Sequence, residues 1–470
     1  MSVVMKFGGT SVADEAAIRR VISIVRQQIE RQPPADRLPV VVVSALSKVT
    51  DGLLHVARSM EAGERDQAMA RLNEMAERHV VMASVLTTGA RLAATVRDLR
   101  AEFGATSDMV RALSSLHEVS PRLFDAIAAT GELASSRLVA AALAESGVAA
   151  AWVDARDVMR TDAEYTSAAP DMDGTRSRVD ERVAPVLARG EVVVLGGFIG
   201  STGDGVTTTL GRGGSDYSAA IFGACLDVSE IQIWTDVDGM LTADPRMVPQ
   251  PRLVPQLSFA EASELAYFGA KVLHPSTILP AVSKNIPVRI LNSRRPDAPG
   301  TLITADPPPT PGRLTALACK RGVTVIDITS TRMFMAHGFL GRLFEVFERF
   351  KTPVDVVTTS EVSVSVTVDD ARRAGPIIDN LREFAEVSLE GEMAIICAVG
   401  EDIHEDPTAF GRAVSALGSI PLRMVSQAAS RRNITFVLGD ADVQEAMNRL
   451  HDAFFGTELQ TTAEGSEITG

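Results

Sequence analysis

Two glycine-rich segments carry the residue types that could do chemistry. One is Thr207-Thr208-Thr209-Leu210-Gly211-Arg212-Gly213-Gly214-Ser215-Asp216, an arginine and an aspartate set among glycines. The other is Val3-Val4-Met5-Lys6-Phe7-Gly8-Gly9-Thr10-Ser11, a lysine followed by a Gly-Gly turn. A glycine-rich turn that opens a helix leaves free backbone N–H groups at the positive end of the helix dipole, and such a turn binds anions. Arg212 adds a planar fork that matches a carboxylate or a phosphate. Lys6 adds a compact cation that can neutralise a transferring phosphoryl group. Taken singly, these features also read as an ordinary strand–helix loop and a surface lysine. Two such loops in one chain favour anion chemistry. Neither follows the spacing Gly-x4-Gly-Lys-Ser/Thr, so a P-loop nucleoside triphosphatase is not indicated.

The elements that must position these residues follow from periodicity. Val192–Gly200 reads as one buried strand before the second loop, and a helix follows from Tyr217. After the first loop, Ile18, Val21, Ile22, Val25 and Ile29 form a helical stripe. Pro39–Ser44 and Ile231–Asp236 read as further strands, and Gly131–Gly147 as a helix. Alternating strands and helices over residues 1–305 predict an α/β domain, a mainly parallel sheet with helices on both faces. A helical insertion is expected at about 60–120, where Met69, Leu72, Met75 and His79 form a core stripe.

The proline-rich stretch 306–312 marks a linker. Beyond it, strands, a helix over Phe339–Phe350 with Leu343, Phe344, Phe347 and Phe350 inward, and a later echo predict two small α+β units, 313–390 and 391–470. The echo sets Gly341-Arg342 against Gly411-Arg412 and Pro353 against Pro421. Units of this kind leave apolar edges and faces that pair with each other or with a second subunit.

Bulk properties narrow the function class. The length of 470 residues, 46% hydrophobic and 23% charged, belongs to a globular protein. A net charge of −14 argues against general nucleic-acid binding, and any ATP site must concentrate positive charge locally. The three cysteines, Cys225, Cys319 and Cys397, and the seven histidines show no redox or metal spacing. No apolar run reads as a membrane span and no signal peptide is evident, so a cytoplasmic location without a membrane partner is expected.

With these residues in view, the chain resembles the aspartate kinases, specifically the monofunctional lysine-sensitive type. The resemblance rests on Lys6–Val12 and Thr208–Asp216, on Trp234–Gly239 with Asp244-Pro245-Arg246, on Phe268–Pro275, and on Thr358–Val364. It implies an amino-acid-kinase fold followed by two ACT domains of ferredoxin-like form, without a fused homoserine dehydrogenase. It implies transfer of the γ-phosphoryl group of ATP, with Mg2+, to the side-chain carboxylate of L-aspartate. It also implies a homodimer or higher oligomer assembled through the ACT domains.

Carried over residue by residue, the resemblance gives Lys6 and Asp216 as catalytic. Thr50, Glu132, Arg212, Gly213, Gly214 and Ser215 match aspartate-binding positions, with Glu132 taking the α-ammonium. Lys6, Phe7, Gly8, Gly9, Thr235, Asp236, Leu241, Arg246, Lys271 and Val272 match nucleotide positions. No protein ligand for Mg2+ follows. Met333, Gly338, Leu340, Val354, Asp355, Thr359, Ser360, Glu361 and Val362 match a lysine-effector pocket. Met335 and Ala336 depart from that pattern, which has histidine and serine there, so lysine is the first choice of effector and threonine the second. Two other readings stay open: an acid kinase of the same fold acting on glutamate, acetylglutamate or carbamate, and a non-catalytic amino-acid sensor. Turnover with aspartate separates them.

Overall fold

The computed structural model describes residues 2–31, 38–114, 117–269, 275–307, 314–330, 337–369, 374–427 and 431–456. The chain forms two compact units. The first holds residues 1–240, 255–259 and 272–307, and the second holds 241–254, 260–271 and 308–470.

The first unit is built on eight strands: β1 (Val3–Phe7), β2 (Val40–Val43), β3 (Ala150–Trp152), β4 (Val192–Gly196), β7 (Glu230–Thr235), β8 (Gln256–Ser258), β9 (Val288–Asn292) and β10 (Thr301–Thr304). Their order is β3-β4-β2-β1-β7-β9-β10-β8, and every pairing is parallel except β9 with β10. A separate two-stranded ribbon joins β5 (Ile199–Ser201) to β6 (Thr207–Thr209). Its helices are α1 (Glu15–Arg31), α2 (Val49–Glu61), α3 (Arg65–Leu86), α4 (Gly89–Leu113), α5 (Pro121–Glu145), the short α6 (Met172–Arg178) and α7 (Ala184–Ala188), α8 (Gly214–Leu226) and α10 (Leu279–Ser283). Helix α9 (Phe259–Tyr267) has its first residue in this unit and the others in the second.

Strand alternation sets what each face carries. Val3, Met5 and Phe7 of β1 join Val41 and Val43 of β2 in one core with Ile18, Val21 and Val25 of α1 and Leu53 and Val56 of α2. Lys6, between Met5 and Phe7, leaves by the opposite face. Strand β1 pairs β2 on one side and β7 on the other, and the order reverses there. The carboxyl ends of parallel strands at such a reversal form a natural ligand crevice.

Several expectations need correction. The run read as one strand over Val192–Gly200 is two, because Phe198 has φ 69° and turns the chain out of the sheet into the ribbon. The helix placed at Gly131–Gly147 begins at Pro121, capped by the Ser120 hydroxyl with proline in its first turn. That helix, α5, is long and apolar enough to cross a membrane by length and composition, but most of it is buried inside this unit. The stripe at 69–79 is core as expected: Leu72, Met75 and His79 are buried.

The second unit holds one six-stranded antiparallel sheet, β12-β13-β11-β14-β16-β15. The strands are β11 (Ala316–Thr329), β12 (Val357–Thr359), β13 (Ser363–Val368), β14 (Glu386–Val399), β15 (Leu422–Ser426) and β16 (Asn433–Gly439). Its helices are α11 (Phe339–Arg349), α12 (Ala374–Leu381), α13 (Ala409–Leu417) and α14 (Val443–Phe455). The two central strands are 14 residues each and pair along their length. One core takes Ile326 and Ile328 from the end of β11. The other takes Leu317 from its start and Leu314 just before it, with Ala394, Ile396 and Ala398 of β14. The second core therefore uses chain from both sides of the first, across the division expected at 390/391.

The predicted echo appears as equivalent packing. Gly341-Arg342 and Gly411-Arg412 occupy the same turn of α11 and α13. Arg342 lies over the Phe384 ring at 4.8 Å and Arg412 over the Phe454 ring at 4.2 Å, so each guanidinium closes its unit by a cation–π contact. Phe344, expected inside, is 37% exposed. On α11 the inward stripe runs Phe339, Leu343, Val346 and Phe347, which leaves Phe344 on the outer side.

Candidate active site

Lys6 sits at the carboxyl end of β1, and its Nζ lies 2.6 Å from Asp216 Oδ1 in the first turn of α8. Both side chains are largely shielded from solvent, so the pair is held in a poorly screened setting. Gly213 caps α8 with φ 73°, a backbone state open to glycine without cost. This cap turns the chain sharply enough to bring Gly214, Ser215 and Asp216 into the helix start. The helix thus begins three residues before Tyr217, and the acidic side chain expected in a loop sits in its first turn.

The N-terminal glycines fit an anion cradle. A Cβ on Gly8 would stand 3.6 Å from Lys6 Nζ, so the glycine leaves the ammonium open on that side. A Cβ on Gly9 would come within 3.0 Å of the Ala45 carbonyl, which lets the Gly-Gly turn lie flat on the loop after β2. The Gly8 amide is itself taken by the Trp234 carbonyl at 3.1 Å. It anchors the turn, contrary to the expectation that it is free for a phosphate. Ser11, a position the sequence reading passed over, ties the turn to β7 and β9 through the Trp234 carbonyl and Ser293 Oγ, at 3.2 and 2.8 Å.

Glu132 lies in the middle of α5 and is 3% exposed. Its Oε1 accepts the Ala45 N–H at 3.2 Å, while Oε2 has no hydrogen-bond partner among the described residues. Burial pushes the carboxyl up to about 8, and the Ala45 N–H offsets only part of that. A buried carboxyl with one free oxygen is a group waiting for a cationic donor. The opposite case is Arg212, which is exposed and has no ion-pair partner among the described residues. Thr50 is half-buried in the first turn of α2, behind Lys48, whose φ is 68°. Ser215 packs so closely on Gly197 that a Cβ there would meet it at 2.8 Å.

At the end of β7, Thr235 is half-buried and Asp236 exposed. The Thr235 carbonyl accepts the Ser293 N–H at 2.8 Å. Leu241 and Arg246 fall in the second unit, where Arg246 makes a two-pronged ion pair with Asp244 and is mostly exposed. Lys271 and Val272 lie outside the described residues, as does Met333 of the effector set.

The rest of the effector set lies in the second unit. Gly338 caps α11 with φ 81°, and Leu340, Thr359, Ser360, Glu361 and Val362 are exposed. Ser360 closes its turn by bonding Ser363 Oγ at 2.7 Å. Val354 is half-buried. Asp355 departs from an open pocket. Its carboxylate accepts from Lys320 Nζ at 2.9 Å and Tyr267 Oη at 2.6 Å, and its side chain is 3% exposed. Burial raises its pKa, opposed by these two donors.

A lysine beside a helix start, an exposed arginine on a glycine loop, and a buried carboxyl with one oxygen unbonded among the described residues are groups able to meet a phosphate, a carboxylate and an ammonium. Comparison with known proteins agrees. The model of the amino acid kinase family matches residues 1–292, and an ACT domain model matches 396–454. The lysine-sensitive aspartokinase 3 of Escherichia coli K12 is 35% identical over 464 residues, covering 96% of this chain and 99% of that protein. The chloroplastic aspartokinase 1 of Arabidopsis thaliana is 34% identical, covering 97% of this chain and 80% of that one. The solved E. coli aspartokinase III with aspartate and ADP, in its R-state, superposes with a TM-score of 0.81 at 34% identity, covering 97% of this chain and all of that one. The same enzyme with lysine and aspartate, in its T-state, gives 0.78. The chain belongs to the amino acid kinase family, and within that family it is an aspartokinase.

Proposed function

We propose that this enzyme moves the γ-phosphoryl group of ATP onto the side-chain carboxylate of L-aspartate, under feedback by an amino acid that is first of all L-lysine. The observation that carries the site reading is the Lys6–Asp216 pair at 2.6 Å, at the sheet reversal and the start of α8. The acceptor is already a carboxylate, so no general base is required, and catalysis reduces to positioning and neutralising charge. Lys6 lies against the transferring phosphoryl, Asp216 orients Lys6, and the turn at Gly8 and Gly9 leaves room for the phosphates. Mg2+, bound with the nucleotide, would supply further neutralisation of the phosphate charge, and none of the residues named here is assigned as its ligand. Arg212 receives a carboxylate of aspartate, and Glu132 its α-ammonium. Thr50 and Ser215 add polar contacts, Thr235 and Asp236 line the nucleotide, and Leu241, Arg246, Lys271 and Val272 extend that set.

The effector reading rests on Asp355, Glu361 and their neighbours, and on an effector that favours an inactive arrangement. A dimer through the ACT domains fits exposed apolar side chains at equivalent places, Leu340 and Phe344 on α11 and Phe410 and Val414 on α13. Hydroxylamine-trapped acyl phosphate, formed from ATP, Mg2+ and L-aspartate with and without L-lysine, tests the whole reading. Product that falls with lysine supports it. No product with aspartate from folded, ATP-binding protein overturns the acceptor, and product with glutamate alone moves it to another acid.

A further inference from the structure

The loop that carries Arg212 is poorly held by its own secondary structure. Strand β6 is three residues long and pairs only with β5, outside the main sheet. What holds it is a carboxylate from α5. Asp125 has no solvent exposure. Its Oδ2 accepts the Thr209 N–H at 3.0 Å and the Thr166 N–H at 2.9 Å, and its Oδ1 accepts the Thr209 hydroxyl at 2.7 Å. The Ala168 N–H then donates to the Thr209 carbonyl at 2.9 Å, so the 166–168 segment and β6 are stitched together around one side chain.

That stitch is made under strain. Thr166 has φ 72°, a left-handed state that is an outlier for a β-branched residue. Gly211 has φ 73°, and a Cβ on it would come within 3.1 Å of the Thr166 carbonyl. One buried carboxylate thus fixes Thr209, three residues before Arg212, and through Thr166 packs against Gly211, its immediate neighbour. A buried carboxyl and a strained threonine persist only where the surroundings over-determine them, and such features gather at functional sites.

We propose that Asp125 is a positioning residue for the phosphoryl acceptor: it holds the Arg212 loop in the conformation that receives the acceptor's carboxylate. The inference rests on the reading of Arg212 as the carboxylate clamp. Asp125 touches neither substrate. Its loss therefore shows in aspartate binding more than in nucleotide binding.

The test is steady-state kinetics of the full chain, with aspartate and ATP varied separately, for Asp125→Ala, Asp125→Asn, Thr209→Val and Arg212→Ala. Asp125→Ala raises the KM for aspartate by about tenfold or more and the KM for ATP by less than about threefold. Asp125→Asn recovers most of the loss. Its carbonyl can take the place of Oδ2 beneath the two N–H groups, and its amide can donate to a Thr209 hydroxyl turned to accept. Thr209→Val, which removes only the hydroxyl bond, falls between. Folded Asp125→Ala with an unchanged aspartate KM overturns the proposal. So does a parallel fall in kcat and both affinities that follows lost thermal stability and is not rescued by asparagine. If the alanine variant does not fold, Thr209→Val decides, and an unchanged aspartate KM there overturns the proposal. Arg212→Ala keeps the two ideas apart. A normal aspartate KM in that variant, beside a raised one in Asp125→Ala, sinks the role of Arg212 and leaves the stitch standing.

Discussion

The two units treat their charged groups in opposite ways. In the catalytic unit the groups assigned to substrate are left open among the described residues: Arg212 is exposed without an ion-pair partner there, and Glu132 keeps one oxygen unbonded in a buried setting. In the regulatory unit the carboxylate assigned to the effector is already satisfied, by the Lys320 ammonium and the Tyr267 hydroxyl. Lys320 also reaches Asp369, at 2.7 Å. An open site is preorganised and meets its ligand without first breaking contacts. A closed one must release a bound ammonium before it can take another, so its apparent affinity is lowered by the fraction of time it is open. The difference teaches that catalysis here calls for a standing arrangement, whereas regulation calls for one that changes.

The comparison breaks most visibly at Lys6. Lys6→Ala should cut acyl phosphate formation by about 10³-fold or more, since it removes the cation facing the phosphoryl group. Circular dichroism should show a folded protein, and near-normal turnover would sink the mechanism.

The next effect is at Glu132. Glu132→Gln should raise the KM for aspartate by roughly 10- to 100-fold, the worth of a charge-assisted hydrogen bond. The pH dependence has a definite sign. A carboxyl raised from 4.5 to about 8 is mostly protonated at neutral pH, whereas the bound α-ammonium calls for its anion. Aspartate binding should therefore release a proton and tighten as pH rises toward 8. The folded state also holds this proton between pH 4.5 and 8 after the unfolded chain has lost it, so Glu132 lowers stability as pH climbs through that window. Denaturant titrations of the glutamine variant should lose that slope. An unchanged slope would reassign the buried proton.

The regulatory side is sharpened by Lys320→Met, which frees Asp355. The lysine concentration for half-inhibition should fall about tenfold if Lys320 competes for that carboxylate. Asp355→Ala should instead abolish feedback with activity retained. Inhibition unchanged in both variants would remove Asp355 from the effector site.

The smallest effect belongs to His79, whose buried ring bonds the Met75 carbonyl at 2.7 Å and leaves Nε2 without a hydrogen-bond partner among the described residues. Burial lowers its pKa to about 4, so the unfolded chain takes up a proton below pH 6.5 that the folded one refuses until about 4. Stability falls as pH drops through that window. His79→Leu should change stability at pH 7 by no more than about 1 kcal/mol and flatten the acid limb of thermal unfolding. A large loss at neutral pH would show that the ring nitrogen matters structurally.

Much of this was legible from local chemistry. Lys6 and the glycines after it, and Arg212 and Asp216 among theirs, could be picked out as candidates for anion chemistry because glycine content and charge are properties of a few adjacent residues. The α/β alternation and the tandem echo were legible for a similar reason, since periodicity records which face is buried. Local patterns were less informative where the chain turns against its own hydrophobicity. Val192–Gly200 is apolar throughout, and only Phe198 in a left-handed conformation splits it. Phe344 is apolar and yet exposed, because inward positions on α11 are set by the sheet beneath it.

By itself, then, the chain's sequence determined which chemical groups are available, in what order, and on which periodic elements. Tertiary structure alone decided which of them meet. Lys6 and Asp216 are far apart in sequence and 2.6 Å apart in space, joined because β1 and the start of α8 converge at the sheet reversal. Asp125 carries no local mark, and its partners at Thr166 and Thr209 come to it from 41 and 84 residues away. The interleaving of the two ACT-like cores through β11 and β14 has no local mark at all. Backbone pairing between distant strands depends on groups every residue carries, so no side-chain pattern announces it.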